Sequence, residues 1–224
     1  MKKILIFLSI QRFFMLGGDI PLFNNPELGK THFIIGFPEA KSERPVAPMP
    51  QGNLHERLID QDGKCIHAFF SPDDDLASLM IELIYAEQKS IALALFSFTD
   101  GTIAQALMNA YDRGIKITLV VDGSAVRDKF SKINLLKKHG ITVFVYEPHE
   151  ITILNNIMHN KFVLFEKNVG GKSLLWTGSY NFTKSASKNN QENILLLDTM
   201  KLIERYRQQF LTLKQRSLEK TLRK

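Results

Sequence analysis

From Cys65 onward the chain alternates short apolar runs with amphipathic stretches, and that alternation predicts its elements. Ile66 to Phe70 reads as a strand closed by Ser71 and Pro72, since proline removes a ladder donor. Leu76, Leu79, Met80, Leu83 and Ile84 recur at the spacing of one helix face. Asp73, Asp74 and Asp75 precede them, where the positive end of a helix dipole favours carboxylates. Ile91 to Phe98 and Ile115 to Val121 are continuous apolar runs of strand length, the pattern of strands covered on both faces. The pattern predicts helices over about Thr102 to Arg113, ended by Gly114, and about Val126 to His139, ended by Gly140. Strands alternating with helices imply an α/β domain: a mixed central sheet flanked by helices on both faces.

The second half changes character. Ile141 to Tyr146, Lys161 to Phe165, Ser173 to Thr177 and Asn193 to Leu197 read as strands whose short connections favour antiparallel pairing, with a hairpin turn at Gly170-Gly171. A helical stretch follows from Thr199, with Ile203, Tyr206, Phe210 and Leu213 on one stripe. Before Cys65 the pattern fails. Six of the eight prolines lie between Pro21 and Pro50 with no period of 2 or 3.6, so residues 17–63 read as an irregular linker ahead of a folded domain at 64–213. At the start, Lys2 and Lys3 precede the apolar run Ile4 to Ile10, which Gln11 and Arg12 break. Residues 1–16 read as a signal or anchor segment, which implies export or envelope association, or as an unstructured start, which implies the cytoplasm.

Composition narrows the class. With 44% hydrophobic and 23% charged residues the chain is globular, not disordered, collagen-like or a pure coiled coil. At 224 residues it can bury roughly 70% of its unfolded surface without a staple. Its one cysteine, Cys65, excludes an internal disulfide framework and a zinc ribbon. The net charge of +6 suggests a polyanionic partner. That excess is localised: residues 199–224 hold eight Lys and Arg against Glu204 and Glu219, while residues 1–198 balance. Residues 214–224 therefore read as a basic tail that tethers nucleic acid or an anionic membrane.

The chemistry gathers later in the chain. His159-Asn160-Lys161 opens an apolar strand, and residues two apart on a strand share a face, so an imidazole and an ammonium stand together. Alone such a pair is ordinary. It is followed by Gly178-Ser179-Tyr180-Asn181-Phe182 and by Asn190-Gln191-Glu192-Asn193. Together these resemble the phospholipase D superfamily signature: His-x-Lys, four residues, an acidic residue, then Gly-Ser-x-Asn and a later acidic residue, met here by His159, Lys161, Glu166, Gly178, Ser179, Asn181 and Glu192. Phe69 to Pro72, Ala94 to Thr99 and Arg113-Gly114-Ile115 also look like the family's upstream segments, so the resemblance covers about residues 65–210. Glu166 replaces the usual aspartate, and eleven residues rather than the customary six separate it from Gly178. The resemblance gives that acid a buttressing role, so the departure bears on local geometry.

A phosphodiester suits these groups. Its negative oxygens shield phosphorus until cationic and amide donors neutralise them, which Lys161 and Asn181 can do, with Ser179 as a weaker donor. A neutral His159 is then a nucleophile forming a phosphohistidine. The resemblance makes Glu192 the acidic partner that fixes its tautomer. It also implies a homodimer, because single-motif members resemble half of the two-motif ones and share a site across a two-fold axis, with His159 of the second subunit as acid and then base. His149 is the intramolecular alternative for that role. The scheme requires no cofactor and no metal, and His32, His55, His67 and His139 show no ligand-like spacing with Cys65. Three substrate readings stay open: an endonuclease on DNA or RNA, which the domain's size favours; a phospholipase D or cardiolipin hydrolase on phosphatidyl lipids; and a catalytically weak phosphodiester binder.

Overall fold

The computed structural model describes residues 53–147 and 157–221; the signal or anchor segment, residues 17–52 of the linker, His32 and His149 lie outside them. Helix α1 (Leu54–Leu58) precedes β1 (Ile66–Ser71), α2 (Leu76–Ala86), β2 (Ser90–Leu95), α3 (Gly101–Asp112) and β3 (Lys116–Asp122). Two short helices follow, α4 (Gly123–Arg127) and α5 (Ile133–Lys138), then β4 (Thr142–Tyr146), β5 (Lys161–Phe165), β6 (Leu174–Gly178), α6 (Lys184–Lys188), β7 (Glu192–Leu197) and α7 (Met200–Thr221). One seven-stranded sheet runs in the order β1-β7-β6-β5-β2-β3-β4.

Pairing is parallel along β2, β3 and β4 and antiparallel everywhere else, so the two halves meet where β2 lies beside β5. That junction sets Leu95, the last residue of β2, opposite Lys161, the first of β5. Alternate residues of the sheet feed two cores. Val163, Phe165, Trp176, Ile194 and Leu196 pack with α2 and α3, while Phe162, Leu164, Leu175 and Leu197 pack with Ile203, Phe210 and Leu213 of α7. On α2 the predicted stripe Leu76, Leu79, Met80, Leu83 and Ile84 is wholly buried, each side chain contributing about 1.5–3 kcal/mol. Asp75 caps that helix by accepting from the Ser78 amide at 3.0 Å.

Four expectations need correcting. Residues 53–63 are not linker: Asn53 caps α1, Leu58 is buried, and Arg57 reaches Glu82 of α2 at 2.7 Å. The helix expected over Val126 to His139 is two pieces. Between them Asp128 takes the amides of Phe130 and Ser131, and the Lys132 amide goes to the Phe98 carbonyl at 3.0 Å, so a loop satisfies donors that a helix would have used. Strand β4 runs parallel to β3, because α4 and α5 carry the chain back across the sheet before it begins. The basic tail does not start at Lys214: α7 continues to Thr221, Leu213 and Ser217 keep its buried stripe, and the Lys214 ammonium lies 5.0 Å from the Phe144 ring centre.

Candidate active site

Strand β5 starts where the two halves of the sheet join, and the segment just before it is pinned from below. The Met158 amide donates to Asp122 Oδ2 at 2.9 Å. Asp122 itself is buried at the end of β3, where its Oδ1 accepts from the Ser124 amide at 2.9 Å and the Ser124 hydroxyl at 2.6 Å. His159 therefore leaves a fixed point, and its ring stands against Phe96 with centres 4.5 Å apart, tilted by 58°. Lys161 is only 7% exposed. Its Nζ donates to the His159 carbonyl at 2.9 Å and lies 3.1 Å from both ring nitrogens. A point equally near both nitrogens must sit off the ring plane, since within the plane it would collide with the carbon between them. The ammonium thus lies against the ring face, and the in-plane lone pair remains available for attack.

The electrostatics suit a nucleophile. Burial, then the Lys161 charge, holds the His159 imidazole below its ordinary value, with Asp122 pulling the other way. The shift favours the neutral ring. Burial also lowers Lys161, opposed by Glu192, and no carboxylate pairs with this lysine among the described residues. A buried cation without a counter-ion costs stability, and a phosphate oxygen is the natural complement.

The Gly-Ser-x-Asn segment closes the other side. Any side chain at Gly178 would strike the Asn193 carbonyl, and its Cβ would come within 2.8 Å of the Ile194 Cα, so only glycine lets β6 and β7 approach so closely. Ser179 then pairs with Asn193 in both directions: its amide donates to the Asn193 carbonyl and its hydroxyl oxygen accepts the Asn193 amide, each at 3.0 Å. This fixes the turn and leaves the hydroxyl proton to donate. The Asn181 Oδ1 is buried without a partner among the described residues, a polar atom that an ordered water or a substrate group would satisfy.

The carboxylates divide by role. Glu192 accepts from Asn190 Nδ2 at 2.9 Å and acts electrostatically on Lys161; among the described contacts it makes no hydrogen bond to His159. The carboxylate whose charge acts on His159 is instead Asp122, which sequence reasoning missed. The signal was available: an aspartate followed by glycine at the C-terminal end of an apolar parallel strand, where α/β folds gather function. Glu166 lies at the far end of β5, where it meets Arg207 of α7 at 3.1 Å and Lys89 at 3.3 Å. Gly178 lines the same cleft as His159 and Lys161, Glu192 acts electrostatically on Lys161, and Ser179 and Asn181 follow Gly178 in the chain, whereas Glu166 stands at the opposite end of β5.

Helix α7 supplies residues the sequence reading left unassigned. Arg205, Tyr206 and Gln209 line a cleft of about 440 Å³ with His159, Lys161 and Thr177. Thr177 donates to the Tyr206 hydroxyl at 3.1 Å, and Gln209 Nε2 donates to Asn160 Oδ1 at 3.3 Å. Cys65 is buried away from this cleft's lining, and burial pushes its thiol up to about 12.

A histidine and a buried lysine thus share a strand end on a mixed α/β sheet, with Gly178 of the Gly-Ser-x-Asn segment on the same cleft. The family model described as the PLD-like domain of cardiolipin synthase matches residues 80–214, more than half of the chain, and the chain belongs to this phospholipase D family. It is a phospholipase D-family phosphodiesterase, a hydrolase. A phospholipase D of Rickettsia conorii is 28% identical over 209 residues, spanning 93% of this chain and 95% of that protein. The mitochondrial cardiolipin hydrolase of Xenopus tropicalis is 29% identical over 137 residues, 61% of this chain and 60% of its own. The structure of NucT from Helicobacter pylori superposes with a TM-score of 0.60 at 26% identity, covering 67% of this chain and 95% of that one.

Proposed function

We propose that the protein is an endonuclease acting on DNA or RNA with little sequence preference. The observation that carries this reading is the cleft itself. Its walls carry the cations Lys161 and Arg205 and the polar groups of Asn160, Thr177 and Gln209 beside Phe162 and Tyr206, and Arg205 has no ion-pair partner among the described residues. Such a wall suits a polyanion better than an acyl chain.

The proposed reaction runs in two balanced steps. The neutral His159 nitrogen attacks phosphorus, forming an N–P bond as the bond to the leaving oxygen breaks, and an imidazolium gives that oxygen its proton. Lys161 and Asn181 neutralise the non-bridging oxygens throughout. Water then attacks phosphorus, passes its proton to the same imidazole, and releases His159 and a phosphomonoester. The second imidazole is His159 of a second subunit in a two-fold homodimer. Exposed apolar residues support a covered surface near the site: Ile157 stands two residues before His159, and Phe70 lies beside Asn193 in the β1–β7 register.

A phosphatidyl lipid is the second reading, favoured by the Rickettsia conorii relative, which matches nearly end to end. Parallel incubation with plasmid DNA, single-stranded oligonucleotides, RNA and phosphatidylcholine or cardiolipin vesicles separates the two. The endonuclease reading expects nucleic-acid cleavage that falls steeply with salt as phosphate contacts are lost. Turnover confined to vesicles, with little salt dependence, reverses it.

A further inference from the structure

Beside the catalytic turn lies a second cavity, of about 480 Å³, lined by Thr99, Phe130, Lys132, Thr183 and Lys184 among others. Its floor belongs to the same backbone as the active site. The amides of Thr99 and Asp100 both donate to the Phe182 carbonyl at 2.9 Å, and the Thr183 amide donates to the Asn181 carbonyl at 2.8 Å. Thr183 stands two residues from Asn181, within about 7 Å along the chain. Phe96, which touches the His159 ring, stands three residues before Thr99.

The far wall is built, not loose. Asp128 accepts from the Phe130 amide at 2.7 Å, and the Lys132 amide is tied to the Phe98 carbonyl at the end of β2. This bonding, which breaks the expected helix, presents Phe130 to solvent at 62% exposure. The Lys129 ammonium lies 4.8 Å from the centre of that ring. Neither Lys132 nor Lys184 makes an ion pair among the described residues, and the nearby Asp100 is occupied by the Thr102 and Ile103 amides and the Thr102 hydroxyl. The groove therefore combines an exposed aromatic ring, two lysines without an ion pair among the described residues and two threonine hydroxyls, on segments three residues from Phe96 and two from Asn181.

The geometry points to this groove as a subsite for the nucleotide flanking the scissile phosphate in a single-stranded nucleic acid, with Phe130 stacking on its base and Lys132 and Lys184 meeting its phosphate. Base stacking on an aromatic ring is tolerant of sequence, as an enzyme with little sequence preference requires. A lipid headgroup has no planar base for Phe130 to hold. The inference rests on the endonuclease reading and adds to it the strand's path and the preference for unpaired substrate.

The test compares Phe130→Ala, Phe130→Trp and the double variant Lys132→Ala with Lys184→Ala on three substrates: a single-stranded oligonucleotide, bis(p-nitrophenyl) phosphate and phosphatidyl vesicles. Phe130 is exposed, so its replacement spares the fold. Phe130→Ala should lower kcat/KM on the oligonucleotide about tenfold, mainly through KM, and leave the small diester unchanged. Phe130→Trp should retain oligonucleotide turnover, with fluorescence quenched when oligo(dT) is added. The double lysine variant should reduce the salt slope of oligonucleotide binding by about 0.7, the share of one phosphate contact on a single strand. If wild type cleaves the oligonucleotide and Phe130→Ala does so equally well, the subsite is wrong while the endonuclease reading stands. If wild type turns over the small diester and the vesicles but no oligonucleotide, the endonuclease reading fails and takes the subsite with it.

Discussion

At its first residue strand β5 holds Lys161, buried, held below its ordinary pKa and without a carboxylate partner; just beyond its last, Glu166 meets Arg207 and Lys89. Both residues belong to one short motif, and the five strand residues from Lys161 to Phe165 place them about 17 Å apart. At one end a charge has been taken out of water and left for something outside the chain to neutralise. At the other, a half-exposed charge is satisfied twice and fastens α7 to the sheet. The first arrangement is costly to stability and useful to chemistry; the second is inexpensive and holds the helix that carries Arg205, Tyr206 and Gln209 over the cleft.

The contrast breaks most visibly at His159, the proposed nucleophile. Replacing His159 with Asn should reduce turnover by at least about a thousandfold with an unchanged thermal melt, because the residue is exposed and supports no core; near-wild-type rates would remove it from the mechanism. Lys161→Met sharpens the comparison further. Turnover should fall about a hundredfold or more, while the melting temperature holds or rises as a buried unpaired ammonium is replaced by an apolar chain of similar size. A marked loss of stability would show that this lysine is structural.

Asp122 comes next. Its charge raises the His159 pKa, so Asp122→Asn should shift the acid limb of the kcat/KM profile to lower pH, from a wild-type limb expected below the ordinary histidine value of 6.5. The variant should also slow turnover by loosening the Met158 amide that fixes His159. An unmoved acid limb would detach Asp122 from the nucleophile. The smallest effect belongs to the other end of β5. Glu166→Gln should cost about 1 kcal/mol or less, a melting shift of roughly 2–4 °C, and leave turnover within a few-fold. A hundredfold loss of turnover there would erase the distinction between the two ends.

How far the sequence revealed all this follows the same physical division. Where one rule dominates, its pattern was readable: the stripe from Leu76 to Ile84, the apolar runs that became β2 and β3, the hairpin at Gly170-Gly171, and the shared strand end of His159 and Lys161. Reading failed where local side-chain bonding competed with periodicity. Asp128 broke a helix that apolar spacing predicted, and Asn53 capped a short helix inside a stretch dominated by proline and glycine. It also failed where the answer lay in three dimensions. Asp122 and Phe96 reach His159 only because β3, β2 and β5 are neighbours, and Arg205 enters the cleft only because α7 folds back across the sheet.

The central claim is that the Lys161 end of β5 cleaves phosphodiesters through His159 as a covalent nucleophile. Rapid quenching of wild type with substrate under alkaline conditions, which preserve an N–P bond, followed by mass spectrometry of the peptide containing His159, tests it most directly. The account predicts a phosphoryl-linked substrate fragment on His159 during turnover, absent from His159→Asn. Rapid turnover with His159 unmodified at every quench time, or the adduct on another residue, would contradict it.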